Sequence, residues 1–223
     1  MIDKTVPTLA EAVSCIVDGS SVMVSGFGDS GLPVELLHAL VAHGAGDLTI
    51  ISNNAGTGDH ALAALLSTGR VRKMICTYPK SSGAHVFSAL YKAGKIELEL
   101  VPQGTLLERM RAGGAGLGPF FTPTAYGTPV ADGKEQRLYE GRGYVLELPL
   151  RADFALVKAC KGDRWGNLTY RLAGRGFGPV MCMAARCAIV QVDDILPLGG
   201  LAPEEVVTPG IFVQRVVRKD SHG

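Results

Sequence analysis

Residues 20–33 read Ser20-Ser21-Val22-Met23-Val24-Ser25-Gly26-Phe27-Gly28-Asp29-Ser30-Gly31-Leu32-Pro33, and this stretch decides the fold. A short apolar strand, Val22 to Val24, runs into a turn with three glycines. Pro33 then opens a segment carrying Leu36, Leu37 and Leu40 at helical spacing. The order is strand, glycine turn, helix. In an open parallel sheet such a turn lies at the carboxyl end of its strand, where ligands bind, and the helix behind it offers free N–H groups to an anion.

The turn also satisfies G-x-G-x-x-G, the dinucleotide fingerprint. That reading asks for an Asp or Glu about twenty residues on, at the end of the second strand, to bind ribose hydroxyls. The next strand, Leu48 to Ser52, is followed by Asn53-Asn54-Ala55-Gly56, whereas Asp47 precedes it. The acid stands at the wrong end. Another phosphate-bearing or acyl ligand, or a plain tight turn, is left open.

Outward from this turn the pattern repeats. Thr8 with Glu11 three residues later predicts a capped first helix leading into Ala12, Val13 and Ile16. A helix from Pro33 to about His43 stops at Gly44 and Gly46. Helix near Ala61 to Leu66, strand Lys73 to Cys76, helix Ala84 to Ala93 with Val86, Leu90 and Tyr91 inward, and strand Glu97 to Val101 follow. Strands alternating with helices at this spacing mean βαβ crossovers, so the expected class is α/β, a mostly parallel sheet with helices on both faces. Beyond residue 128, strands Gln136 to Tyr139 and Tyr144 to Leu148 flank Glu140-Gly141-Arg142-Gly143 as an added β-hairpin. Strands at Phe154 to Lys158, Leu168 to Tyr170, Ala188 to Val192 and Phe212 to Val217, with a helix near Met181 to Ala185, complete the chain. No repeat or linker divides it, and residues 1–223 are expected to form a single domain.

The 223 residues carry a formal net charge of +1 and no Lys/Arg run longer than two, which points to neither nucleic acid nor a charged membrane surface. No basic leader followed by an apolar run and no membrane-length apolar stretch is present, so a soluble, cytoplasmic protein is expected. Five cysteines (Cys15, Cys76, Cys160, Cys182, Cys187) without a C-x-x-C pair read as reduced, mostly buried small hydrophobes. His38, His43, His60, His85 and His222 are scattered, and no metal site is expected.

The strand ends deliver residues 25–31, then Asn53-Asn54-Ala55-Gly56, Thr77-Tyr78-Pro79-Lys80 and Pro102-Gln103-Gly104-Thr105 to one rim. Three of the four bring uncharged hydrogen-bond donors with glycines, which suits a carbonyl or thioester oxygen better than a metal or a proton abstraction. Gln103 could donate to an oxyanion or, more plainly, bond a neighbouring carbonyl in a turn. Asn53 and Asn54 could fix a carboxylate or merely end a strand. Residues 109–128, with four glycines in six residues at 113–118, read as a glycine-rich loop shaped for close approach. Glu97, Glu99, Glu108, Glu140 and Glu147 read as solvated faces, and no pair of carboxylates stands out as acid and base.

Several of these motifs, in this order, resemble one of the two subunit types of family I 3-oxoacid CoA-transferases, the type without the catalytic glutamate. They are Ser25-Gly26-Phe27 with Gly31 and Pro33, Ser52-Asn53-Asn54-Ala55-Gly56, Val101-Pro102-Gln103-Gly104-Thr105-Leu106, Glu108-Arg109, Arg111-Ala112-Gly113-Gly114-Ala115-Gly116, Phe121-Thr122-Pro123-Thr124 and the run 162–170. The resemblance spans residues 3 to about 217. It implies a Rossmann-like CoA-transferase fold and a two-step exchange, in which a glutamate attacks acyl-CoA and passes through an anhydride to a glutamyl thioester. In the family that glutamate belongs to the other subunit, in a Ser-Glu-Asn-Gly-like motif that this sequence lacks.

The resemblance therefore implies a chain inactive alone that works with a glutamate-bearing partner subunit in a heterodimer or heterotetramer. It implies no permanently bound cofactor, with the CoA thioester as substrate. By matching motif, Ser25, Gly26, Phe27, Gly28, Asp29, Ser30 and Gly31 are the CoA-contact region, Gln103 is the oxyanion donor, and Asn53 and Asn54 line the active centre. The family usually opens its turn Gly-Gly-Phe, so Ser25 puts close backbone approach there in question. The run 161–171 and the ending 207–217 look most like family members that act on 3-oxoadipate, so the resemblance implies succinyl-CoA and 3-oxoadipate as the substrate pair, with acetoacetate the alternative. A 3-oxo dicarboxylate needs a second cation, for which Lys80, Arg109, Arg111 and Arg164 are candidates. The competing classes are a non-catalytic ligand sensor on the same scaffold and, more remotely, a dinucleotide oxidoreductase.

Overall fold

The computed structural model describes residues 2–80 and 83–219. From the N-terminus run α1 (Leu9–Val13), β1 (Ser21–Val24), α2 (Val34–His43), β2 (Leu48–Asn54), α3 (Leu62–Ser67), β3 (Val71–Tyr78), α4 (His85–Lys92), β4 (Glu97–Leu100) and α5 (Gln103–Ala115). Three short strands follow, β5 (Phe120–Thr122), β6 (Gln136–Tyr139) and β7 (Arg142–Glu147). Then come β8 (Ala152–Asp163), β9 (Leu168–Thr169), α6 (Gly178–Ala184), β10 (Ala185–Leu196) and β11 (Arg215–Arg218).

The main sheet has the order β11-β10-β8-β1-β2-β3-β4, with β9 added antiparallel beside β8 and every other pairing parallel. Alternation along each strand divides the core. Val22, Val24, Ile50, Met74 and Leu156 face α1 to α4, whereas Met23, Ile51, Ile75, Ala155 and Val157 face α5 and α6. Helices on both faces of a parallel sheet match the expected class.

Local chemistry sets the element ends. Thr8 Oγ1 accepts from the Glu11 N–H at 3.1 Å and starts α1. Gly44, at φ +95°, ends α2 in the left-handed region. Glu140 and Gly141, both at positive φ, close the β6–β7 hairpin, which β5 extends into a separate three-stranded antiparallel sheet.

Four expectations are corrected. Residues 103–115 form a helix, not a turn and the start of a loop. A Cβ on Gly113 would fall 2.3 Å from the Leu150 carbonyl oxygen and one on Gly114 would fall 2.7 Å from Met183 Cβ, so both glycines serve close packing of α5 rather than flexibility. In α4 Phe87, 3% exposed, is the buried residue, with Val86 and Leu90 packed partly buried against the core as expected, but Tyr91 lies outside at 52%. Glu147 is 3% exposed and bonded to Lys134 Nζ at 2.6 Å, so it is not on a solvated face. Cys76 and Cys182 are buried, but Cys15, Cys160 and Cys187 are only half-buried.

Candidate functional site

Parallel register brings the strand ends together. Val24 pairs with Ser52, Ser52 with Cys76, and Cys76 with Leu100, so Ser25, Asn53, Thr77 and Val101 lie side by side at the carboxyl edge of the sheet, where β2 and β3 run one residue further to pair Asn54 with Tyr78. Beyond β1 the chain turns towards β2 on one side, while β8 lies on the other. The glycine turn therefore sits where strand order reverses, the position at which open α/β sheets bind ligands.

The turn is fixed from within. Ser25, 1% exposed, donates its hydroxyl to the Gly31 carbonyl at 2.7 Å and accepts from the Lys158 N–H at 3.1 Å. Its side chain points inward and staples the turn to β8. Its hydroxyl is thus engaged inside the turn rather than turned out from it. Phe27 N–H donates to the Ser30 carbonyl at 2.9 Å and Ser30 N–H to the Phe27 carbonyl at 3.2 Å, leaving Gly28 and Asp29 at the tip and Phe27 57% exposed.

Asn53 and Gln103 meet directly. Gln103, the first residue of α5, donates Nε2 to Asn53 Oδ1 at 2.7 Å, and Asn53 is 5% exposed. The hydroxyl of Thr77 donates to the Asn53 carbonyl oxygen at 2.9 Å and lies 3.1 Å from Asn53 Oδ1. Asn54 does something different: its Oδ1 accepts from the Gly56 N–H at 2.9 Å and shapes the β2–α3 turn. Of the two asparagines, Asn53 holds Gln103 and Asn54 holds backbone.

Gln103 and Phe27 line one cavity of about 300 Å³ together with Gly104, Leu107, Gly176 and Phe177. Its wall is mostly apolar and includes no carboxylate. A second cavity of about 380 Å³ lies behind Ser30 and Gly31 and includes Lys158, Cys160, Tyr170 and Arg171. An apolar pocket with a side-chain amide at its edge suits an acyl group whose carbonyl oxygen gains charge, because apolar walls strengthen the donor's effect once a bound ligand displaces water. The buried thiols are poor nucleophiles: burial pushes both Cys76 and Cys182 up to about 12.

Two of the cations expected to hold a far carboxylate are engaged elsewhere. Arg109 bonds Glu99 at 2.9 Å and the Leu148 carbonyl at 2.9 Å, and Arg111 bonds Glu108 at 2.7 Å. Arg164 lies in the turn between β8 and β9. Lys80, following β3 at the rim, is exposed and makes no ion pair with a described residue. His43 Nε2 lies 2.8 Å from the Ile16 carbonyl oxygen in a structural contact, and His222 falls outside the described residues. Thr77 belongs to the rim segment 77–80, but its role is not legible in the sequence because its partner comes from another strand. Among the described residues no helix is long and apolar enough to cross a membrane.

Residues 6–219 match the coenzyme A transferase family. The chain is 63% identical over 217 residues to one subunit of the 3-oxoadipate CoA-transferase of Pseudomonas putida, covering 97% of this chain and 94% of the relative. It is 47% identical over 208 residues to the corresponding subunit of a succinyl-CoA:3-ketoacid coenzyme A transferase of Xanthomonas campestris pv. campestris, covering 93% and 85%. In fold it is similar to an acyl-CoA transferase from Escherichia coli O157:H7 solved as a thioester complex with CoA, with a TM-score of 0.86 at 21% identity. That match covers 99% of this chain and 50% of the other, so the chain spans half the length of that protein.

Proposed function

The chain belongs to the coenzyme A transferase family, and on that premise we propose that it is one of two subunits of an enzyme moving CoA from succinyl-CoA to a 3-oxo acid. The preferred acceptor is 3-oxoadipate and the attacking glutamate lies on the partner subunit, with the pair working in the cytoplasm. The 63% identity to a 3-oxoadipate CoA-transferase, against 47% to a 3-ketoacid one, supports that choice over acetoacetate.

One observation carries the reading: at the rim Gln103, bonded to Asn53, and Phe27 of the glycine turn line a mostly apolar cavity whose lining, among the described residues, includes no carboxylate. The residues can stabilise an oxyanion but not make the attack. In the proposed sequence, the partner's carboxylate adds to the thioester carbonyl and charge gathers on its oxygen. Gln103 Nε2 donates to that oxygen, CoA thiolate leaves, and an anhydride remains. The thiolate then attacks the glutamyl carbonyl, releases the first acid and forms the glutamyl thioester. The second acid reverses these steps and leaves with CoA. The Ser25 to Gly31 turn is the CoA-contact region, Asn53 supports the Gln103 donor, and Asn54 shapes the turn that lies beside it.

Removing one preorganised oxyanion donor costs about 10² to 10³ in turnover. Gln103→Ala, assembled with the partner subunit, is expected to fold normally and lose about that factor in CoA exchange; unchanged turnover rejects the role.

A further inference from the structure

An amide at an oxyanion site helps only if it is already in place when charge develops, and a glutamine side chain has three rotatable bonds with which to leave. We propose that Thr77 is a positioning residue: its hydroxyl clamps Asn53, and Asn53 in turn holds the Gln103 amide at the rim. The proposal rests on the CoA-transfer reading and adds a residue to it.

Three contacts carry it. Gln103 Nε2 donates to Asn53 Oδ1 at 2.7 Å, which commits one of its two hydrogens and leaves the other for a ligand. Thr77 Oγ1 lies 2.9 Å from the Asn53 carbonyl oxygen and 3.1 Å from Asn53 Oδ1, so one hydroxyl touches both the backbone and the side chain of the residue that anchors Gln103. Asn53 is 5% exposed, and solvent has little access to replace a bond that is lost there. Without the hydroxyl, the Asn53 carbonyl loses a donor and its side chain loses a neighbour that limits rotation. Gln103 is then tethered to a side chain that is itself free to turn.

Thr77 is well suited to the task. It occupies the β3 position between buried Cys76 and exposed Tyr78, where the strand leaves the sheet, and its branched Cβ restricts the hydroxyl to few rotamers. Its hydroxyl spans strands: it belongs to β3, Asn53 to β2 and Gln103 to α5. The three elements thus share one hydrogen-bonded chain at the rim.

The test compares Thr77→Val, which keeps volume and β-propensity but deletes the hydroxyl, with Thr77→Ser, which restores it. With the two-subunit enzyme, Thr77→Val is expected to lower kcat about tenfold, the size of one net hydrogen bond, while both KM values stay within about twofold. Thr77→Ser is expected to recover most of the loss. An unchanged kcat in Thr77→Val, or a Ser variant as impaired as Val, overturns the proposal. A second readout needs no turnover: the Gln103 side-chain amide resonances of the ¹⁵N-labelled chain, assigned by their loss in Gln103→Ala. They are expected to move towards free-amide positions in Thr77→Val. Unmoved resonances overturn the positioning role even in an active enzyme. A wild-type pair inactive on CoA esters overturns the reaction assignment instead, and the amide spectrum still decides the positioning.

Discussion

Gly31 and Gly174 meet so closely that a Cβ on Gly31 would fall 2.4 Å from the Gly174 carbonyl oxygen. The contact seats the β1–α2 turn against the loop before α6, and it works in one direction only. Gly31 has φ +75°, whereas a Cβ on Gly174 would find its nearest neighbour at an ordinary 3.7 Å. Gly31→Ala combines left-handed strain with a backbone clash and is expected to cost about 2–4 kcal/mol and raise the KM for the CoA thioester. Gly174→Ala should be tolerated. Thermal melts and kinetics of both variants check this, and equal effects would contradict the seating.

Lys80 follows β3 at the rim, while Arg109 and Arg111 are engaged by Glu99 and Glu108. If it binds the far carboxylate, Lys80→Met raises the KM for 3-oxoadipate about tenfold and leaves that for acetoacetate unchanged. Parallel changes for both acids would remove Lys80 from substrate choice.

Glu99 joins Lys73 on β3 at 2.7 Å to Arg109 on α5 at 2.9 Å, and so braces the helix that starts with Gln103. Burial raises its pKa, but hydrogen bonds from Lys73 and Arg109 together outweigh that and leave it below the usual 4.5. A carboxylate with a depressed folded pKa contributes stability above its unfolded value and loses it as pH falls through the folded one. The Tm gap between wild type and Glu99→Gln should therefore be full above pH 4.5 and shrink below it. A gap that stays constant on acidification would contradict the ion pairing.

Much of this molecule is legible along the chain because its signals are local. The strands and helices up to β4 announce themselves by apolar runs, glycine stops and the Thr8 cap, and the four rim segments follow from strand polarity alone. What escaped depends on partners distant in sequence. Gly113 and Gly114 look like loop residues until Leu150 and Met183 arrive beside them. Glu147 looks solvated until Lys134 folds over it, and the Thr77 hydroxyl has no role until β2 lies alongside. Phe87 displaces Tyr91 from the core because both fit the helical period and only packing against the sheet chooses between them.

Thr105 illustrates a cost within α5. Its Oγ1 is buried and has no hydrogen-bond partner among the described residues, and an orphaned hydroxyl of this kind costs about 1–3 kcal/mol. Thr105→Val is expected to raise stability by about 1 kcal/mol without lowering turnover. A drop in Tm would reveal a partner for the hydroxyl.

The division of labour between two polypeptides is tested most directly by CoA exchange between succinyl-CoA and 3-oxoadipate, measured with the purified chain by itself and after addition of its partner subunit. Exchange at enzymatic speed is expected only with both present. Sustained exchange by the single chain would place the attacking carboxylate within these 223 residues and contradict the account.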